Sequence, residues 1–326
     1  MDKEKPSTSD SPRDVVVVGG GPAGLSAALV LGRQLRTVTL VDSSQYRNAP
    51  ATESHMYLGS DGASPQDIRE RGREELAALP TVTVHTSEIL GVTSENGLFV
   101  FRCGDGTEIS SRAVVLATGH RDLPSNIRGV AQRFGRSIVH CPFCHGYETR
   151  GRSIAVLADN PAVAAQPAMQ ALYLRTHYSD DVALCTGGTE IPEALREVLS
   201  DHAIAILDAP ISSVTGESGA LTIEFSDAPS LSREAIFYVP RYEARSTLAT
   251  DLGCENDGPY TLVDHCQRTS VAGVYAAGDI AKIRGADVPL SFISQAVAAG
   301  QAAALWCDQD LFIAENHLQS VLTPSK

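Results

Sequence analysis

Apolar and polar positions fall in short blocks along the chain, and the blocks alternate between strand-like runs and helix-like stretches. Asp14–Val18 ends in four consecutive valines, the kind of run shown by a strand buried on both faces. Glycines follow at positions 19, 20, 21 and 24, then a helix-like stretch Leu25–Leu35, then a second apolar run Thr37–Val41 that stops at Asp42. Strand, glycine turn, helix, strand and terminal acid make one βαβ unit of about thirty residues. Residues 43–80 hold a polar loop and a charged helix over Pro65–Leu79. Short strands are predicted at Val82–His85, Leu98–Arg102 and Ala113–Ala117, and the turn residues of Gly119–Gly135 predict a crossing between domains.

A second βα pattern opens at Ile154–Ala158, continues in a helix over Ala164–Arg175 and reaches a strand at Val182–Thr186. Further strands are predicted at Ala203–Leu207, Leu221–Phe225 and Ala235–Val239. The chain is expected to cross back near Pro240–Thr247. A strand over Val271–Ala277 then leads to Gly278-Asp279, and Ser291–Trp306 reads as an Ala-rich helix. Two βα openings in 326 residues predict an α/β protein of two domains.

The first opening carries chemistry. Gly19, Gly21 and Gly24 form G-x-G-x-x-G, with Pro22 and Ala23 inside it, between a predicted strand and a predicted helix. The first glycine permits the tight turn, the second lets backbone approach a pyrophosphate, and the third lets helix and strand pack closely. The phosphate then meets the free N–H groups and dipole of a helix N-terminus. Asp42 ends the second strand, where a carboxylate can accept from ribose hydroxyls.

Seven cysteines are too few for a disulfide scaffold, and five of them are scattered and read as buried free thiols. Cys141 and Cys144 differ. They form C-x-x-C at a predicted helix start, where a thiol pKa falls and its thiolate fraction rises. C-x-x-C is also half of a zinc site, but no second pair with matching spacing occurs, so no metal is expected there. His140 and His145 flank the pair, and either could move a proton, since imidazole titrates near ~6.5.

A formal charge of −13 argues against nucleic acid or an anionic membrane as partner. No stretch approaches the ~20 apolar residues of a membrane helix. Residues 1–13 are charged and rich in Ser and Pro without an apolar middle, which reads as a disordered tail on a cytoplasmic protein.

Val115–Gly119 reads VLATG and Gly273–Asp279 reads GVYAAGD. With the glycine fingerprint and the C-x-x-C, these segments resemble the flavoprotein disulfide reductases, specifically the low-molecular-weight thioredoxin reductases. The resemblance implies two Rossmann-like domains of three-layer ββα type and FAD as cofactor. It places Ala117, Gly119, Gly278, Asp279, Gln295, Ala296 and Asn48 beside that cofactor. It implies a discontinuous FAD domain, 14–120 plus 246–326, an inserted domain over 121–245 carrying the cysteines, and a homodimer. It also implies that Cys144 faces the flavin while Cys141 exchanges with substrate sulfur. In thioredoxin reductases an aspartate acid/base follows the second cysteine, and His145 stands there instead.

The inserted domain departs from the reductase pattern. Ile154–Ala158 is followed by Asp159-Asn160-Pro161-Ala162-Val163-Ala164, with no glycine where backbone must approach a pyrophosphate and a negative charge at Asp159. The next strand ends at Cys185-Thr186-Gly187-Gly188, without the arginines that hold a 2′-phosphate. A flavin–disulfide centre lacking NADPH can run in the oxidative direction. With CPFCHGYE at the pair and Arg47-Asn48 … His55-Met56-Tyr57-Leu58-Gly59 upstream, the chain resembles the dithiol oxidases that close gliotoxin-, holomycin- and romidepsin-type disulfides. Those enzymes pass electrons from a small-molecule dithiol through FAD to O2 and release H2O2. Two alternatives remain open at this point: a thioredoxin reductase fed by NADPH or ferredoxin, and a non-catalytic redox-sensing flavoprotein.

Overall fold

The computed structural model describes residues 11–123 and 125–318. Most of the expected tail lies outside the described residues, and Arg13 already belongs to the first strand. The chain divides into two compact units, 1–47 with 66–121 and 243–326, and 48–65 with 122–242.

In the first unit, β1 (Arg13–Val18), α1 (Pro22–Arg33) and β2 (Val38–Asp42) form the expected βαβ opening. α2 (Pro65–Ala77) and β3 (Val82–Thr86) follow, then β4 (Ile89–Glu95), β5 (Leu98–Cys103) and β6 (Glu108–Leu116). The sheet runs β3-β2-β1-β6-β5-β4, with the late strand Val274–Ala276 also on β6. β6 is long enough for β5 and the late strand to share one edge while β1 takes the other. Its first residues pair antiparallel with β5, and Ser111–Leu116 pair parallel with β1. The four valines of β1 are buried because sheet neighbours flank the strand and both faces are covered, Val15 and Val17 in a core with α1 and the last helix, Val16 and Val18 in a core with Phe101, Leu248 and Val263.

Helix α1 buries Ala23, Gly24, Ala27, Ala28 and Leu31. Its small residues admit the last helix, Ile293–Glu315, at close range. A Cβ on Gly300 would lie 2.1 Å from the Ala23 carbonyl oxygen, so glycine there sets the approach. Burying one side chain such as Leu31 is worth about 1.5–3 kcal/mol. That last helix extends well past Trp306, where the sequence pattern ended it, because Cys307 and Leu311 continue the buried face. Among the described residues no helix is long and apolar enough to cross a membrane.

The second unit holds a parallel five-stranded sheet in the order Ala205–Leu207, Val182–Cys185, Ile154–Leu157, Ala235–Tyr238, Ile138–Val139. An antiparallel three-stranded sheet, Ile211–Glu217, Ala220–Phe225 and Leu231–Arg233, accompanies it. The helix Ala165–His177 packs on the parallel sheet. Each unit therefore has the Rossmann-like α/β plan.

The division of the chain differs from the expected 14–120 plus 246–326 at its edges, where 121 and 243–245 join the first unit, and in one longer segment. Residues 48–65 pack with the second unit. Pro50 fills the space beside Gly135, the Arg136 Nε donates to the Pro50 carbonyl at 3.4 Å, and His55 reaches Glu148. Asn48, expected beside the cofactor, falls in that segment.

Candidate active site

The dinucleotide fingerprint is built on backbone clearances. Gly19 has φ +105°, and a Cβ there would lie 2.4 Å from the Ala117 carbonyl oxygen. A Cβ on Gly24 would lie 1.8 Å from the Gly19 carbonyl oxygen. Glycine is therefore obligatory at both positions for packing within the protein. Gly21 is different: its Cβ direction is open, with nothing within 4 Å, at the start of a twelve-residue helix with no acid in its first turn. That open backbone at a helix N-terminus fits a pyrophosphate.

The other fingerprint residues gather at the same end of the sheet. Ala117 N donates to Val18 O at 2.8 Å, and Ala277 N donates to Leu116 O at 2.9 Å. Gly278 abuts Ala23, with Ala296 close behind. The Asp279 carboxylate accepts from Arg47 Nη1 at 3.0 Å. Gln295 is exposed on the first turn of the last helix, and Gly119 is half-buried at φ +65°. The buried Asp42 carboxylate accepts from Gly20 N at 3.0 Å, from Ser44 N at 3.2 Å and from the Tyr46 hydroxyl at 2.5 Å, and it pairs with Arg73. Sequence reasoning missed Tyr46 and Arg73, because neither belongs to the fingerprint and α2 supplies the arginine from outside the βαβ unit.

In the second unit, Cys141 caps the short helix Pro142–His145. Its sulfur accepts from Cys144 N at 3.3 Å, and the two free sulfurs lie 2.8 Å apart. The thiols are inequivalent. The hydrogen bond from the Cys144 thiol, with backbone N–H groups of Cys144 and Phe143, holds Cys141 below the ordinary thiol pKa against the opposing effect of burial. That same hydrogen bond to Cys141, with burial, pushes Cys144 strongly up. The first proton therefore leaves Cys141.

Gly146 ends this helix, and a Cβ there would lie 2.3 Å from both the Pro142 carbonyl oxygen and the Tyr178 ring. Its absence lets Tyr178 pack under the cysteine turn. The Gln170 side chain donates to the His140 carbonyl at 2.5 Å and anchors the segment entering the turn.

His145 is half-buried, and its Nδ1 is buried without a hydrogen-bond partner. Burial, and then the charge of His55, lower its pKa, while Glu148 and Glu53 pull it up. The imidazole is therefore neutral to lower pH than the ordinary value near ~6.5. His140 is exposed, with its ring 6.0 Å from that of Phe134. His55 was not among the sequence-level candidates. It lies among three carboxylates, with Nε2 3.5 Å from Glu53 and 3.8 Å from Glu148, and Nδ1 3.5 Å from Asp61.

At the end of the strand Ile154–Leu157, the Asp159 carboxylate accepts from the Ser125 hydroxyl at 2.7 Å and the Tyr238 hydroxyl at 3.2 Å. Burial and the Asp159 charge push the Tyr238 phenol up to about 12. One helical turn, Pro161–Val163, comes before the helix Ala165–His177. Beyond the next strand, Thr186 donates to Asp208 at 2.7 Å, and Arg196 pairs with both oxygens of the same carboxylate.

Known proteins match this chain over most of its length. The sequence pattern of the family described as "Pyridine nucleotide-disulphide oxidoreductase" matches residues 13–303. The thioredoxin reductase sirT of Leptosphaeria maculans is 33% identical over 91% of this chain and 94% of its own length. The thioredoxin reductase tcpT of Claviceps purpurea is 32% identical, covering 82% of this chain and 86% of its own. The crystal structure of HlmI superposes with a TM-score of 0.86 at 33% identity, over 97% of this chain and 99% of that one. The chain belongs to the pyridine nucleotide-disulphide oxidoreductases and is a thioredoxin reductase-like oxidoreductase of that FAD-binding family.

Proposed function

We propose that the protein oxidises a small-molecule dithiol to its intramolecular disulfide through Cys141 and Cys144. One substrate thiolate attacks the Cys141 sulfur of the closed pair, and Cys144 leaves as thiolate. The second substrate thiol then attacks the mixed disulfide and expels Cys141, so the substrate leaves oxidised and the pair is left as a dithiol. FAD held at the Gly21 turn would supply the redox chemistry that carries the electron pair from the Cys141–Cys144 dithiol to O2, which with the two substrate protons gives H2O2. In sum, R(SH)2 and O2 give R(S–S) and H2O2.

The roles follow the thiol chemistry. The Cys144 thiol and the backbone N–H groups of Cys144 and Phe143 stabilise the Cys141 thiolate as the second substrate thiol expels it. His145, neutral at physiological pH, accepts a proton from the incoming thiol. Cys144 is the member that passes electrons onward, as the family resemblance implies.

The observation that carries the oxidative direction is at Asp159. A nicotinamide pyrophosphate needs bare backbone at a helix N-terminus there, and a carboxylate held by two hydroxyls occupies the turn instead. That sirT and tcpT are named thioredoxin reductases favours a second reading, a disulfide reductase, which would draw its electrons from NADPH or ferredoxin. Oxygen-electrode and peroxide assays on the FAD-loaded protein separate the two. The proposal expects a small dithiol to drive stoichiometric O2 uptake and H2O2 release, and Cys141→Ser to abolish both. Failure of a panel of small dithiols to reduce the protein under argon, alongside rapid reduction by NADPH, would establish the reductase reading.

A further inference from the structure

His85, Cys103 and Asp105 bring one nitrogen, one sulfur and one oxygen together in the first unit, with the donor atoms all within 4.8 Å of one another. They come from two places that the sheet brings together. His85 stands near the end of β3, and Cys103 ends β5. Asp105 sits in the turn between β5 and β6. That turn is fixed by backbone hydrogen bonds from Cys103 N to Thr107 O, from Gly106 N to Cys103 O and from Gly104 N to Glu88 O.

The donors point at one another without satisfying one another. His85 Nε2 is a buried atom with no hydrogen-bond partner, although Asp105 Oδ2 lies 3.1 Å away. Asp105 Oδ1 accepts from Thr107 N at 3.0 Å, which holds the side chain and leaves Oδ2 facing the histidine. The Cys103 side chain is buried, and Asp105 is exposed, so the cluster opens to solvent on one side.

We propose that His85, Cys103 and Asp105 form a site for one zinc ion, with the fourth position open to water. The donor set decides the metal. Imidazole with thiolate and a single carboxylate suits a borderline-soft ion, whereas calcium and magnesium need more oxygens than one aspartate provides. A tetrahedral zinc with arms of about 2.0–2.3 Å separates its donors by roughly 3.3–3.8 Å, so the cluster closes inward by about 1 Å. The Asp105 side chain on its exposed turn can make that movement. Binding takes Cys103 as the thiolate. Each zinc bound therefore releases one proton, and affinity rises with pH.

The site borders the cofactor end of the sheet. His85 pairs with Val41 in the β2–β3 register, and the next pair is Asp42 with Thr86. Zinc would cross-link the end of β3 to the β5–β6 turn, one residue from Thr86, the strand partner of Asp42.

The test uses the full-length FAD-loaded protein carrying Cys141→Ser and Cys144→Ser, which removes the other thiol pair that could hold zinc. Competition with a chromophoric chelator should show one Zn2+ bound per chain, and Cd2+ should give a thiolate-to-cadmium ultraviolet difference band. Losing even an outer hydrogen-bond partner of a metal ligand costs about 10–100-fold in affinity, so Asp105→Asn should weaken zinc by at least about tenfold. Cys103→Ser should also abolish the cadmium band, and His85→Gln takes its place if that buried substitution fails to fold. No zinc bound in the double-serine protein overturns the proposal. So does zinc affinity unchanged by both Asp105→Asn and the folded partner variant.

Discussion

The imidazole Nε2 of His55 lies 3.8 Å from the Glu148 carboxylate, which stands just beyond the cysteine turn. This pair ties the segment 48–65 to the redox turn and sets the charges around His145. His55 lowers the His145 pKa, while Glu148 and Glu53 raise it. A base acts when neutral, so the rate of anaerobic flavin reduction by a dithiol should rise with pH through this pKa. The rising limb should lie at more acid pH than an ordinary histidine gives, because burial is the largest influence on the group. Glu148→Gln removes one of the carboxylates that raise the pKa and should move the limb further toward acid. His145→Ala should slow the reduction by at least about tenfold and erase the limb, at the conservative end of the ~10²–10⁴-fold typical of acid–base assistance. His140→Ala, altering an exposed side chain, should leave the limb in place. Stopped-flow reduction across the pH range measures all four proteins.

The hydrogen bond between the two thiols gives a second prediction. In the reduced protein, iodoacetamide should modify Cys141 first, with a pH midpoint below that of an ordinary thiol near ~8.5. Cys144→Ala removes the largest influence lowering that pKa and leaves burial to raise it, so the midpoint should move up. Peptide mapping of the alkylated protein identifies the site. Preferential labelling of Cys144 would reverse the assignment of roles.

How much of this could be read from sequence depended on how locally each feature is encoded. The βαβ opening was legible because its strands are uninterrupted valine-rich runs and its glycines have fixed offsets. β4 was not, since Gly91 sits at an irregularity in the β4–β5 register and breaks the apolar alternation. The last helix was read short because the segment after Trp306 turns polar. There Asp310 pairs with Arg268 and accepts from the Tyr275 hydroxyl, which makes acidic residues part of its packing. The C-x-x-C announced itself, whereas His55 did not. Its partner Glu148 is far away in the chain, and only the folding of 48–65 onto the second unit brings them together.

Asp159 yields a prediction about electron donors. Its carboxylate is held by Ser125 and Tyr238 at the end of the strand where a nicotinamide-binding turn would approach phosphate. Arg196, the nearest cation after the following strand, is paired with Asp208. Mixing the FAD-loaded protein with NADPH under argon should leave the flavin absorbance oxidised, while a small dithiol bleaches it. Bleaching at micromolar NADPH would show that phosphate binds despite Asp159.

The last prediction separates the two jobs done by the first fingerprint. A methyl group on Gly24 would overlap the Gly19 carbonyl, with its carbon 1.8 Å from that oxygen, so Gly24→Ala must displace backbone. It should lower apoprotein stability by at least the roughly 1–3 kcal/mol typical of overpacking, and FAD content should fall with it. A methyl group on Gly21 meets no protein atom within 4 Å, and the backbone there, at φ −75° and ψ −179°, suits any residue. Gly21→Ala should therefore leave the thermal midpoint of the apoprotein unchanged. Its cost appears only with the cofactor, because the added methyl stands where backbone must come close to the pyrophosphate. Fluorescence titration of apoprotein with FAD should show weaker binding in Gly21→Ala, with secondary structure and apoprotein melting like wild type. Equal FAD affinity in Gly21→Ala and wild type would mean that the pyrophosphate does not approach at Gly21, and the assignment of the fingerprint would have to move.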